Sequence, residues 1–373
     1  MVAMRRMLLT TSTLIGTALV LPGAVAVAAE VRPGGALNLT VSGFARFLVT
    51  GGDIDNARFD PDASTDPDFF NDTEFHVLLA GKHDATGIEY GARIELEGDT
   101  SLTANGDETW VYLRGGFGEL RLGDEDGSAD TDGAAVSAAT LAAGTGGLDA
   151  DVLDTFGAVR TIDPFGTSDA TKIRYMSPAF AGFRIDASYT PNLDEIDSGS
   201  DNGDLLAATG VEAGEVVEGV LAYKGKLGGL GLQASVGGLV GDIKDEDEVG
   251  GDDYWALEAG AVVEVFGVSF GGSYLTERVG AIDADAMTLG VGGEIGRVDV
   301  SLNYGQVLDS DGATLEGIET GESYEIVLSA DVGLMPGLTL AADIAYFDND
   351  AKDDPPTGDD NGWQGVARLG LAF

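Results

Sequence analysis

Charge, rather than nucleophilic chemistry, is what this sequence has to work with. Cysteine is absent and histidine occurs twice, at His76 and His83, so neither thiol chemistry nor a disulfide framework is available. Covalent catalysis needs a nucleophile with a base in reach. No serine motif accompanies either histidine, and His83 falls in a predicted short turn. What remains is ionised side chains in two patterns. Arg46, His76, Lys82, Arg93, Glu95 and Arg174 each alternate with apolar neighbours, so in an extended chain they point away from the apolar face. The second pattern is acidic and without alternation: Asp124-Glu125-Asp126, then Asp130 and Asp132, then Asp149, Asp151 and Asp154. Fixed cations on a wall and carboxylates on a loop can attract and orient ions and polar solutes through their field.

The elements that position these groups are strands. Val41, Gly43, Ala45, Phe47 and Val49 alternate with Ser42, Phe44, Arg46 and Leu48, the period of two that marks a strand with one apolar face. The pattern recurs at Ile88-Tyr90-Ala92-Ile94-Leu96, Phe183-Ile185-Ala187-Tyr189, Val298-Val300-Leu302-Tyr304 and Gly365-Ala367-Leu369-Leu371-Phe373, among others. About sixteen such segments can be counted. In the segment from Thr109 to Arg114, Val111 and Leu113 facing out would turn Trp110 and Arg114 inward. Short connections (83–87, 115–118, 225–229, 296–297, 333–337) alternate with long ones rich in Asp, Gly and Asn (50–72, 98–108, 192–214, 241–252, 309–321, 348–361). One short end and one long end is the habit of outer-membrane barrels, with the short turns on the periplasmic side. Tyr189, Tyr223, Tyr274, Tyr304 and Tyr346 near strand ends fit interfacial girdles.

Composition agrees. Sixty-four acidic residues against twenty basic ones give a formal charge of −44, which argues against nucleic-acid binding. In a soluble globule such an imbalance repels itself; long external loops and a watery lumen accommodate it. A soluble barrel of this many strands would need a very large apolar interior, whereas the inward positions here carry charge. About sixteen strands close around an aqueous channel. Arg5 and Arg6 precede an apolar stretch, broken at Pro22-Gly23 and closed by Ala26-Val27-Ala28-Ala29, as in a secretory signal peptide. The expected organisation is a leader at 1–29 and a barrel at 30–373. Past the leader, the longest uncharged run, Gly133 to Leu148, is mostly Ala, Gly, Ser and Thr, too small and polar for a membrane helix, which needs about 20 apolar residues.

One connection breaks the rhythm, the acidic segment over 124–170, and an unstructured loop of that length is usually functional. On either side of it, VYLRGGFGELRLGDEDGSADTDG (Val111 to Gly133) and KIRYMSPAFAGFRIDASYTP (Lys172 to Pro191) resemble stretches of Gram-negative general diffusion porins, as does GWQGVARLGLAF (Gly362 to Phe373). The resemblance implies an all-β transmembrane antiparallel β-barrel, usually trimeric, whose third external loop folds into the lumen. It implies a constriction with a basic side drawn from Arg46, Arg93, Arg121, Arg174 and Lys172, with His76 beside them. The acidic side would come from Asp124, Glu125, Asp126, Asp130, Asp132, Asp149, Asp151 and Asp154. The chain departs from the family habit at Asp124, where many relatives carry a basic residue.

Opposed rows of charge across a narrow water column set up a transverse field, and a polar solute can exchange hydration for wall contacts there as an apolar one cannot. Nearby positive charge also keeps the carboxylates ionised. The expected function is a water-filled outer-membrane channel for passive diffusion of small hydrophilic solutes and ions. A mild cation preference is expected from the excess of loop carboxylates. A substrate-selective channel for sugars, phosphate or carboxylates is the second reading. A structural or adhesive barrel, with no inward loop and a plugged lumen, is the third. No cofactor is expected beyond loosely bound Ca2+ at acidic loops such as 242–247 and 348–354, which lack EF-hand spacing. The expected partners are outer-membrane lipid, lipopolysaccharide and two further copies of the chain.

Overall fold

The period-two pattern is realised as strands whose apolar face is the exposed one. The computed structural model describes residues 37–55, 67–98, 106–129, 136–137, 141, 143–145, 167, 169–193, 213–244, 250–311, 314–315, 318–351 and 360–373; the leader expected at 1–29 lies outside them. In chain order the strands are β1 (Asn38–Asp55), β2 (Asp68–His83), β3 (Ile88–Glu97), β4 (Gly106–Gly115), β5 (Gly118–Asp124) and β6 (Thr171–Met176). They continue as β7 (Phe183–Asn192), β8 (Ala213–Leu227), β9 (Leu230–Ile243), β10 (Asp253–Val265), β11 (Val268–Val279) and β12 (Ile282–Ile295). The last are β13 (Val298–Asp311), the two-residue β14 (Thr314–Leu315), β15 (Ile318–Met335), β16 (Leu338–Ala351) and β17 (Asp360–Ala372). Each pairs antiparallel with its sequence neighbour, β13 pairs directly with β15, and β1 pairs with both β2 and β17. β14 is only a short ladder on β15, so the closed wall has sixteen strands.

Burial is inverted relative to a soluble barrel. Phe47, Val111, Ile185, Leu257 and Leu328 expose 48–55% of their surface, whereas Glu95, Glu218, Glu277, Asp343 and Gln364 expose 2% or less. Apolar side chains outside and polar ones inside suit a wall with lipid around it and water within, and closure satisfies every edge that lipid could not. Trp110 is buried and Val111 exposed, so β4 takes the phase that turns Arg114 inward. Tyr304, Tyr324 and Tyr346 form a row on β13, β15 and β16, with ring centroids 6.1 Å apart at each step.

One end of the barrel carries tight turns (84–87, 116–117, 228–229, 266–267, 296–297, 336–337) and the six-residue link 177–182. At the other end the strands run further than alternation predicts: β1 reaches Asp55, β2 starts at Asp68, β13 reaches Asp311 and β16 reaches Ala351. The physical reason is that these hairpins rise above the apolar belt. The sequence there is polar and acidic, so hydrophobic alternation stops before the hydrogen-bond ladder does. β11 and β12 join at this end through Gly280-Ala281 alone, a tight connection without a long acidic segment.

Candidate functional site

The segment between β5 and β6 runs over 125–170, and its described residues lie against the inner wall in strand order. Near its start the Ser128 amide donates to Ser188 Oγ on β7 (3.3 Å) and Glu218 Oε2 on β8 (2.9 Å). The Val136 amide donates to Ser235 Oγ on β9 at 2.8 Å. Leu141 lies over Gly271 of β11 and Gly292 of β12. The Ala143 amide donates to Ser301 Oγ on β13 (2.8 Å), that of Gly144 to Asp331 Oδ1 on β15 (3.0 Å) and that of Thr145 to Asp343 Oδ2 on β16 (2.9 Å). Arg368 on β17 closes the series, donating to the carbonyls of Gly144 (2.9 Å) and Thr145 (3.2 Å). The segment therefore follows the lumen side of the wall from β7 round to β17.

Small residues make this approach possible. A Cβ at Gly260 of β10 would collide with the Val136 carbonyl, and one at Gly144 would collide with the Asp343 carboxylate. Gly144 also has φ +77°, a left-handed conformation that costs a residue with a side chain about 1–2 kcal/mol. Ser301, Ser329 and Asp343 are successive register partners on β13, β15 and β16, so alternation alone sets them in a row at one height.

The wall from β1 to β6 is charged instead. Arg46 pairs with Asp72 at 2.9 Å and lies 3.6 Å over the Phe44 ring. Arg93 pairs with Glu95 and reaches His76 Nδ1 at 3.2 Å. Arg121 holds Glu119 (2.8 Å) and Glu125 (2.6 Å) and lies 4.3 Å from the Trp110 ring centroid. In each pair the cation is the more exposed partner: 18% against 11% for Arg46–Asp72, 32% against 2% for Arg93–Glu95, 23% against 1% for Arg121–Glu125. Guanidinium groups thus stand in front of carboxylates, and a negative chain presents a cationic layer to this part of the lumen.

A sixteen-stranded inverted barrel, a long segment whose described residues are seated inside it and a charged sector on the inner wall are the architecture of a diffusion channel. A family model of the Gram-negative porins matches residues 14–352. The chain belongs to the Gram-negative porin family. It is a protein of the outer membrane and forms a channel there. Among curated proteins none matches it. Solved structures share the fold at low identity. The anion-selective porin from Comamonas acidovorans aligns at 18% identity and TM-score 0.59 over 90% of this chain and 100% of that one. The outer-membrane channel DcaP of Acinetobacter baumannii aligns at 12% and 0.64, over 92% and 100%. OmpT of Vibrio cholerae, in its trimer form, aligns at 13% and 0.60, over 91% and 100%.

The porin wall divides the residues singled out from sequence into two groups. Arg46, Arg93 and Arg121 come together on the inner face of β1, β3 and β5, with His76 on β2 between them. Lys172 and Arg174 on β6 lie beneath the base of the loop, 2% and 3% exposed. Arg174 grips Asp186 through two bonds of 3.1 Å and donates to the Asp126 carbonyl at 3.1 Å, while Lys172 donates to the Glu125 carbonyl. Glu125 is buried against Arg121 and Arg174; burial pushes its carboxyl above the usual range, and the two guanidinium groups pull it back. Asp124 accepts from the Thr171 hydroxyl, and Asp126 sits over Arg174 through its carbonyl. Asp130, Asp132, Asp149, Asp151 and Asp154 lie outside the described residues, as do 245–247 and 352–354 of the acidic outer runs.

Sequence reasoning missed two features. Arg368 points inward from β17 and holds the far end of the loop, and its signal was its phase opposite Leu369 and Leu371. The second is a group of buried carboxylates on the strands themselves, Asp72, Glu74, Glu97 and Glu108, around the inward-phased Glu95.

Proposed function

We propose that this porin is a water-filled channel for passive diffusion of small hydrophilic solutes and ions, with mild cation preference and no catalytic role. The observation that carries this reading is the seating of the described loop residues from Ser128 to Thr145 along β7 to β17, beside a charged sector on the inner face of β1 to β5. Arg46, Arg93 and Arg121 would form the basic side of the constriction, with Lys172 and Arg174 behind them. Asp126 and the other loop carboxylates would form the acidic side, while Glu125, buried behind Arg121 and Arg174, would anchor the base of the loop. The cation preference follows from the formal charge of −44, whose field reaches ions in the vestibules; the front row of guanidinium groups keeps it mild. By analogy with the trimeric OmpT form, the working unit would be a homotrimer in lipid and lipopolysaccharide.

Planar-bilayer recording tests the reading. Large conductance without saturation and a reversal potential on the cation side are expected in a salt gradient. Replacing Arg46, Arg93 and Arg121 together with alanine should enlarge the conductance and move the reversal potential further that way. Saturable block by one sugar, phosphate or carboxylate would favour a substrate-selective channel, an anion-side potential would refute the cation preference, and absence of conductance would refute the channel reading.

A further inference from the structure

A bulge at the outer end of β3 and β4 turns two consecutive carboxylates inward. Ile94 pairs with Thr109 and Leu96 with Gly106, so Glu95 alone stands opposite Asp107 and Glu108. Regular alternation would send one of those two outside; the extra residue re-aims the pair. Asp107 is half-buried and Glu108 is buried. Beside them, Glu74 of β2 and Glu97 of β3 are direct register partners, two like charges set opposite each other, an arrangement that destabilises a sheet.

Glu74 has no surface in contact with solvent, and no nitrogen or hydroxyl donates a hydrogen bond to its carboxylate oxygens, whose neighbours include the Glu95 carboxyl. His76 Nε2 stands 3.0 Å from one of them; among the described residues no lysine or arginine forms an ion pair with Glu74. One oxygen each from Glu74, Glu97 and Asp107 lies within 4.8 Å of the other two. A Ca–O bond is about 2.3–2.6 Å, so two ligands of one Ca2+ lie at most about 5 Å apart, whereas Mg2+, at about 2.0–2.1 Å, needs a tighter set.

We propose that Glu74, Glu97 and Asp107 form a Ca2+ site on the inner wall at the outer mouth. The ion would neutralise the opposed Glu74–Glu97 pair and tie β2, β3 and β4 together. Three carboxylates and no softer donor, in a flexible strand-end setting, suit Ca2+, with water completing its shell. The site is distinct from the acidic outer runs at 242–247 and 348–354, and its ligands come from three adjacent strands rather than from one loop.

The test is calorimetric titration of Ca2+ into the chelator-stripped porin in detergent. Salt at about 0.15 M limits diffuse counterion binding to a screening length of about 8 Å. One saturable equivalent per chain is expected, with a Kd on the order of 10⁻⁴ M, as in extracellular Ca2+ modules. Glu74→Gln and Asp107→Asn should each weaken binding about tenfold or more, and Asp242→Asn, on an exposed outer strand end, should leave it unchanged. Should Glu74→Gln fail to fold, Asp107→Asn at the half-buried position decides. No saturable binding overturns the site, and so does binding that survives both substitutions or falls equally in Asp242→Asn. Binding is read without current, so its failure is separate from that of the channel reading.

Discussion

From β7 round to β17 the inner wall offers the loop serines, glycines and a few carboxylates, and the loop answers with backbone amides. From β1 to β6 the same face of the same sheet carries guanidinium–carboxylate pairs instead. The first sector holds the described part of the loop: its short side chains let main chain come close, and each amide it takes up is one the lumen water need not solvate. The second sector stores charge. The boundary between them is β6, where Arg174 belongs to both. It is buried like the first sector and ion-paired like the second.

That boundary is where substitution should cost most. Arg174→Ala would take from Asp186, 0% exposed, its two-bond guanidinium partner and leave it only Arg184 at 3.6 Å, while Glu125 would keep Arg121; breaking a buried pair costs about 3–5 kcal/mol, and the lower end is expected. Arg114→Ala makes the contrast: its pair with Glu119 at 2.5 Å is half open to water, the arginine being 51% exposed, so about 1 kcal/mol or less is expected. The temperature at which the detergent-solubilised barrel loses its compact gel mobility measures both. Equal losses would mean that the two sectors are not held differently.

How much of this was readable from sequence follows from the same division. Alternation is local, so the strands and their phase were legible, except in β4, where alternation left the phase open and the charge of Arg114 favoured the inward turn that the structure takes. The loop was legible too, because Asp124 to Thr171 breaks a rhythm that the rest of the chain keeps. The outer strand ends were not legible, since runs such as Gly51-Gly52-Asp53 and Asp348-Asn349-Asp350 have no hydrophobic period to show. The phase of Arg46, Arg93 and Arg121 was readable. So was the pairing of Arg93 with Glu95 two residues on; that Arg46 stands in front of Asp72 was not, because Asp72 is a register partner across strands and 26 residues away. The bulge at Glu95 was equally hidden: Gly-Asp-Glu reads as loop, and only pairing with β3 turns both acids inward.

The seating of the loop can be broken with less disturbance to the barrel. Valine at Gly144 must adopt φ +77° and place a Cβ against the Asp343 carboxylate and the Ser329 Cβ. The left-handed conformation alone costs about 1–2 kcal/mol, and the collision pushes 143–145 off the wall and toward the water column. A lower and noisier single-channel current is expected, with the barrel still folded. Gly219→Val, at an exposed position where a Cβ would meet nothing, should leave the current as it is. A quiet, full-sized current in Gly144→Val would show that the contact does not hold the loop.

Ser301→Ala is expected to disturb the loop less than Gly144→Val. Ser301 is 3% exposed and its Oγ accepts from the Ala143 amide at 2.8 Å. Losing one acceptor leaves a buried N–H without its partner, for about 1–3 kcal/mol in a dry interior. Here the lower end is expected, near 1 kcal/mol, because the vacated hydroxyl position borders a watery lumen and a water can bridge the gap. Asn303 Nδ2, now 3.5 Å from that hydroxyl, offers no replacement, since it is itself a donor. The current should therefore keep its mean and gain only slight flicker, in contrast to Gly144→Val. A fall as deep as that of Arg174→Ala would mean that the loop amides bind the wall as strongly as buried ions do, which would erase the difference between the two sectors.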